Sequence, residues 1–372
     1  MNHDALVAVA RAVFEAAGGT PIDPDYVMPA DIPLELSGEV VRARLCVFTD
    51  NRGAEMVMRP DLTLPVAQRE AARLGAEGAS AKTYTYAARA FRLPAAPDDP
   101  FEFTQVGLER FGYARAPEAD AELFALVHRA VEACGVRPSS IVTGDLAIFP
   151  AFIDALGLPS VSTDLLKRAF RQEGGVRAVL DAAAHPLEPE VLAVLDAAEP
   201  EGALQALLTA RSIPLAGGRS LAEIVSGLNA KRAAIAAGGL PVEARAAILA
   251  LREVECPLAD APGILGALAN SHGLTGAGDA LEAFAARVEA ILSRAGSARR
   301  TATFRSGFGR RFTYYDGFVF EILADGLTPA QPVAAGGRYD GLIAGLSGAR
   351  VSATGIGGVV RPDRMIRVRR SA

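Results

Sequence analysis

The chain has 372 residues, 50% of them apolar and 22% charged, the balance of a folded protein long enough for a large core and more than one domain. Its formal net charge of −5 at pH 7 argues against broad attachment to a nucleic-acid backbone, which depends on surplus Lys and Arg. Cys46, Cys134 and Cys256 stand far apart with no CxxC pair, so the spacing offers no zinc site and the thiols are read as buried, inert groups in a reducing compartment.

The N-terminus, MNHDALVAVARAVFEAAGG, spaces its apolar residues as a helix and carries charges at Asp4, Arg11 and Glu15. It is an amphipathic opening helix rather than a signal peptide. Gly18-Gly19 ends it, and an extended stretch punctuated by Pro29 and Pro33 follows. Strand-like runs at 43–49 and 54–59 flank Asp50-Asn51-Arg52-Gly53, the turn chemistry of a hairpin. A helix is predicted over 63–74, and strands over 83–93 and 101–111, parted by a Pro-rich segment at 94–100. A helix over 119–134 and a strand over 140–144 come next. From about 150 to 300 the chain turns Ala/Leu-rich and helical, with a capping box at Ser220-x-x-Glu223 and a helical pattern over 242–251. The longest uncharged run, 261–278, holds Pro, Asn, Ser, His and several Gly, a poor membrane span; the expected location is cytoplasmic. Strand patterns return over 311–315 and 318–323, before the Gly-rich AAGGRYDGL. The expected organisation is an α+β core whose first part is 1–150 and last part 301–372, interrupted by a mainly helical insertion at 151–300.

Generic active-site signatures are missing. Neither GGRYDG nor GIGGVV has dinucleotide-fingerprint spacing, and no phosphate loop, GxSxG elbow or paired-histidine motif occurs. His128 falls within a helix and is read as packed or solvated. No catalytic residue and no metal site is assigned. What remains is ionisable chemistry in strand-like runs: Arg59-Pro-Asp61-Leu-Thr63, Phe91-Arg92, Gln105-Val-Gly-Leu-Glu109 and Arg310-Arg-Phe-Thr-Tyr314-Tyr315. By the period of two, Gln105, Gly107 and Glu109 share one sheet face, with Gly107 leaving a gap for a ligand. An ammonium group suits Asp61, Gln105 or Glu109, and a carboxylate suits Arg310. Adjacent Tyr314 and Tyr315 in a strand would alternate faces, sending at most one hydroxyl into a pocket. A solvated sheet face with satisfied ion pairs accounts for this pattern equally well.

At these residues the chain resembles histidyl-tRNA synthetases. FTDNRGAEMVMRPDLT is similar to the hairpin leading into their RPE-x-T stretch, FRLPAAPDDPFEFTQVGLERFG to class II motif 2, RRFTYYDGFVFE to the histidine-specific stretch, and AAGGRYDGL to GGRYDGL; TGIGGVV sits where motif 3 is expected. The matches run in order from about residue 29 to 365. The resemblance implies an antiparallel sheet flanked by helices, with a helical insertion and, since the chain ends at Ala372, no anticodon-binding domain.

The departures point further. Pro94 stands where motif 2 has Glu, Phe101 replaces a basic residue, and Asp98 and Asp99 place negative charge where phosphates would lie. Pro362 falls where motif 3 has Arg, leaving Arg361 or Arg364 to substitute only by a shift. The histidine-contacting positions persist instead: Asp61 (for Glu), Thr63, Arg92, Gln105, Glu109, Arg310, Tyr314 and Tyr315, with Thr313 replacing an Asp. Histidine recognition kept while ATP and tRNA recognition decay resembles the regulatory-subunit family of ATP phosphoribosyltransferase. That resemblance implies a non-catalytic, allosteric subunit without a cofactor, taking L-histidine as effector. It implies partnership with a short-form catalytic subunit in a hetero-octamer, self-association as a dimer, and no tRNA or membrane partner. Such a subunit activates the first step of histidine biosynthesis and mediates feedback inhibition by histidine. The enzyme alternative is a freestanding histidine-activating, adenylate-forming protein; a synthetase with its anticodon domain on another chain is a third.

Overall fold

The structure, a computed structural model, describes residues 1–95, 99–113, 116–172, 174–181, 187–213, 220–236, 240–309 and 313–371. Its strands are β1 (Thr20–Pro21), β2 (Val27–Pro29), β3 (Val47–Thr49), β4 (Glu55–Met58), β5 (Lys82–Phe91), β6 (Glu102–Phe111), β7 (Ser140–Asp145), β8 (Glu255–Pro257), β9 (Ala302–Arg305), β10 (Phe318–Leu323), β11 (Ala334–Arg338) and β12 (Gly355–Val360). Among the described residues, nine form one sheet in the order β1-β5-β6-β12-β11-β10-β7-β9-β8, and β2-β4-β3 form a small second one. The large sheet is α+β and chiefly antiparallel. β1 joins β5 and β7 joins β9 in parallel, so it is mixed rather than purely antiparallel.

Strand alternation sorts this sheet into two chemically different faces. Val106 and Leu108 of β6 and Phe318, Phe320 and Ile322 of β10 point into one core with the helices His3–Glu15, Ala116–Ala133 and Gly278–Arg294. Burying each such side chain contributes about 1.5–3 kcal/mol. The intervening positions, Gln105, Gly107, Glu109 and Phe111, face the other way. There Phe111 joins a second core built from Tyr84, Tyr86, Tyr314, Tyr339 and the helix Thr63–Glu77. The second face is thus the one furnished with hydroxyls and carboxylates.

The hairpin at the DNRG turn forms as expected, shorter than read: Thr49 pairs with Glu55, and Asp50 accepts the Arg52 and Ala54 amides at 2.8 and 2.9 Å. The capping box is reciprocal, with Ser220 N–H donating to Glu223 and Glu223 N–H to Ser220 Oγ. Three local expectations fail. Pro33 lies inside the helix Asp31–Leu36, where a first-turn proline removes no helical hydrogen bond. β8 arises within the helical stretch and pairs with β9 at the sheet edge. The strand expected over 311–315 is a turn at 313–314, and 310–312 lie outside the described residues. Of the cysteines only Cys134 is fully buried; Cys46 and Cys256 are half-buried, with burial raising all three thiols. His128 is packed against Phe124, ring centroids 6.4 Å apart. No described helix is long and apolar enough to cross a membrane.

Candidate functional site

Glu109 is fully buried near the middle of β6, and its carboxylate is held by hydroxyls alone. Thr63 Oγ1 and Tyr86 OH donate to Oε1 at 2.7 and 2.8 Å, and Tyr339 OH donates to Oε2. Each donor comes from a different element: Thr63 from the first turn of its helix, Tyr86 from β5, and Tyr339 from just beyond β11. Burial drives the Glu109 carboxyl up to about 7. The three hydroxyls pull it down, and the charge of Asp61 adds to the rise. Asp61 is also buried. Its Oδ1 accepts the Leu64 amide at 3.0 Å at the start of the helix, and its Oδ2 accepts Tyr314 OH at 3.3 Å. Burial pushes Asp61 up as well, against the pull of the Leu64 amide, Arg92, Tyr314 and Arg361. Two buried acids therefore lie close enough to feel each other's charge, each with hydroxyl partners, an arrangement that suits a cationic group.

Gln105 sits two residues before Gly107 on this face, 3% exposed, with its Oε1 lacking a hydrogen-bond partner. The gap expected at Gly107 exists but is filled. A Cβ there would lie 2.7 Å from Tyr86 OH and 2.6 Å from Gly358 O, so the glycine admits the tyrosine that holds Glu109. A Cβ at Gly357 would fall 1.5 Å from Glu109 Oε2. Arg92 donates through Nε to Pro60 O at 2.8 Å and lies 5.2 Å from the Phe103 ring. Arg59 turns elsewhere, onto the carbonyls of Arg89 and Pro24 and 3.9 Å over the Tyr26 ring.

Tyr314 and Tyr315 both stand against Tyr339, ring centroids at 5.9 and 6.1 Å. The expectation that adjacent tyrosines split between faces is overturned, because a turn has no strand alternation. Thr313 commits its amide to Leu36 O at 3.1 Å and its hydroxyl to Glu35 O at 3.3 Å. Arg171, capping the helix Ser160–Phe170, donates to Tyr315 O and fastens the tyrosine turn to the helical part of the chain. In the motif 2 loop, Asp99 is paired with Arg44 at 3.1 Å; Asp98 lies outside the described residues, as does Arg310. The structure thus links Asp61, Thr63, Glu109, Tyr314 and Tyr315 through Tyr339 and their hydroxyl bonds, with Gln105 on the same sheet face and Arg92 bonded to Pro60, next to Asp61 in the chain.

A family model described as histidyl-tRNA synthetase matches residues 2–237 and 218–361. ATP phosphoribosyltransferase regulatory subunits of Brucella anthropi and Mesorhizobium japonicum are 32% and 33% identical to this chain. The alignments cover 95% and 99% of it, and 94% and 98% of those proteins. The chain belongs to this regulatory-subunit family. Among solved structures, an ATP phosphoribosyltransferase regulatory subunit/histidyl-tRNA synthetase from Bacillus halodurans superposes with a TM-score of 0.65 at 19% identity, over 98% of this chain and 79% of that one. A histidine–tRNA ligase subunit from Alicyclobacillus acidocaldarius gives 0.57 at 23% identity, over 99% and 93%. These likenesses establish the class II synthetase-like fold.

Two contributors to the site escaped the sequence reading, Tyr86 and Tyr339, while Arg361 was read only as a shifted substitute for the motif 3 arginine. Tyr339 lay inside the GGRYDGL match, which flagged the segment without revealing which side chain reaches Glu109. Tyr86 carried no signal until register set β5 beside β6, with Tyr86 opposite Gly107.

Proposed function

We propose that this chain is a non-catalytic regulatory subunit of an ATP phosphoribosyltransferase, sensing L-histidine in the space between Asp61 and Glu109. The observation that carries this is the pair of buried acids provided with hydroxyl donors. A ligand bringing an ammonium group and an imidazole supplies the positive charge and N–H donors that two such acids accept. Asp61, Thr63, Gln105, Glu109, Tyr314 and Tyr315 line the site in this reading, with Arg92 and Arg310 on the carboxylate side. The subunit joins a short-form catalytic subunit in a hetero-octamer and self-associates as a dimer. It activates that partner when empty and inhibits it when histidine is bound, a coupling of about 1–3 kcal/mol. The names of the relatives support the partner and the pathway; Pro94, Phe101 and the Arg44–Asp99 pair support the loss of ATP and tRNA handling.

Isothermal titration with L-histidine and separately with ATP tests the reading. Histidine binding, unaffected by ATP, is expected, together with no histidine-dependent exchange between ATP and pyrophosphate. Adding the catalytic subunit then gives activity that histidine suppresses. A second reading, a histidine-activating adenylate-forming enzyme, is favoured by one observation: Arg92 and Arg361 both lie against Phe103. Histidine-dependent pyrophosphate exchange would establish that reading and remove the first.

A further inference from the structure

The turn that carries Tyr314 and Tyr315 is held from three directions. On one side Thr313 bonds Leu36 O and Glu35 O, at the end of the helix Asp31–Leu36. On another, Asp316 accepts the Asp340 and Gly341 amides at 3.0 and 2.7 Å, and its own amide donates to Arg338 O at 3.1 Å. These two anchors neighbour the second core, to which Leu36 and Tyr339 contribute. The third comes from the helical stretch: Arg171 donates to Tyr315 O and approaches Thr313 O at 3.5 Å. Its base is fixed. Arg171 caps the helix Ser160–Phe170, and Phe170 stacks on Phe149 with ring centroids 4.2 Å apart. Leu166 and Ala169 of the same helix are buried in the first core. Its tip is half-buried against main-chain carbonyls, where burial disfavours the cation and Asp316 is the charge that favours it. A guanidinium does not escape by losing its proton, so it depends on the Thr313 and Tyr315 carbonyls staying turned toward it. The same residues place Tyr314 OH on Asp61 and lay the Tyr315 ring so close to β11 that a Cβ at Gly337 would come within 2.8 Å of it. A backbone rotation that moves either tyrosine also turns the acceptors of Arg171.

We propose that Arg171 is a positioning residue that couples the tyrosine turn to the helical part of the chain. A ligand settling against Tyr314 and Tyr315 steadies the turn, and the turn steadies the helix Ser160–Phe170 through Arg171. The helix Leu221–Ala236, which packs on Ser160–Phe170, receives the effect next. This inference rests on the histidine-sensing reading above and supplies a route by which occupancy of the pocket is felt outside it. Another contact between Leu221–Ala236 and the front of the chain, Glu223 with Arg42 at 3.6 Å, is more exposed and longer, and as a solvated pair it contributes little.

The test is hydrogen–deuterium exchange followed by mass spectrometry, without and with saturating L-histidine, on the full chain and its Arg171→Met, Arg171→Lys and Glu223→Gln variants. Calorimetric titration gives each affinity, and thermal melts confirm that each variant folds. In the native chain histidine slows exchange at 313–316 and also over 160–170. In Arg171→Met it still slows 313–316 but no longer 160–170, and its affinity falls about fivefold or more. Arg171→Lys, which keeps the charge without the planar fork, falls between, and carries the test by itself should the Met variant unfold. Glu223→Gln, which keeps the capping-box chemistry, responds as the native chain does. Slowing over 160–170 that survives in Arg171→Met, or that is absent from a native chain that binds histidine, overturns the coupling and leaves the sensing reading standing. No histidine binding by the native chain removes the sensing reading, and ligand-free exchange then decides the joint. It stands if Arg171→Met speeds exchange at both 313–316 and 160–170, and falls otherwise.

Discussion

Two clusters of buried acids lie on opposite faces of the same sheet, and they are neutralised in opposite ways. Beneath the sheet, Asp120 accepts from Arg287 at 2.5 Å and from Arg338 at 2.8 Å, and Arg287 also donates to Asp145. Arg338 reaches on to Asp340 at 2.9 Å. Above the sheet, Asp61 and Glu109 have hydroxyls and one amide but no arginine within hydrogen-bonding reach among the described residues. The first cluster supplies its own counter-charge and works as a structural joint between the helices Ala116–Ala133 and Gly278–Arg294 and strands β7 and β11. The second has no bonded arginine among the described residues, and in the sensing reading proposed above its counter-charge comes with the ligand. A buried acid in a folded chain is thus no sign of a binding site in itself; the chemical nature of its partner is.

The largest effect that would break this comparison is in the joint. Asp120→Asn leaves two buried guanidinium groups short of charge and is expected to cost about 3–5 kcal/mol in urea unfolding. A cost under about 1 kcal/mol would mean the joint carries no structural load. The pocket predicts a pH dependence instead. Glu109 titrates at about 7 when folded against 4.5 for an ordinary glutamate, so the folded state holds this proton more tightly than the unfolded one. Its stabilising contribution is complete below about pH 4.5 and is lost as pH rises through 7, on the order of 3 kcal/mol. Urea midpoints at pH 5 and pH 8 for the native chain and Glu109→Gln check this: the variant should lack most of the slope. A smaller effect is expected for Tyr339→Phe, which removes one donor from Glu109 and should cost about 1–2 kcal/mol at pH 8, where the carboxylate is charged, and less at pH 5. The smallest belongs to an exposed pair. Arg232 bonds Asp196 at 2.7 Å, with both side chains largely solvated, and Arg232→Ala should stay within about 0.5 kcal/mol in the same assay.

Much of the pocket was legible because its logic is local. The period of two put Gln105, Gly107 and Glu109 on one face, and Asp61 and Thr63 open a helix that the sequence already marked. What could not be read was what register decides. That Tyr86 meets Glu109 depends on β5 pairing with β6, and that Gly357 lies against Glu109 depends on β12 pairing with β6. No spacing within either segment encodes such a pairing. The tyrosine turn was misread for a related reason: aromatic residues in succession have strand-like composition, yet Thr313 spends its amide and hydroxyl on Glu35 and Leu36, and the backbone bends. The sheet joint, too, was invisible: Asp120, Asp145 and Arg287 are scattered along the chain in otherwise ordinary elements, and the GGRYDGL match marked Arg338 without its partners.

The position of Gly357 has a consequence for how the two ends of this chain can diverge. Any side chain there would occupy the place of the Glu109 carboxylate, so the letters at 109 and 357 form a single choice written in two places. A lineage that replaces Glu109 with a smaller residue releases position 357 from glycine, while one that fills 357 must first shorten 109. Joint variation at these two columns would then mark the relatives in which the pocket has changed its occupant.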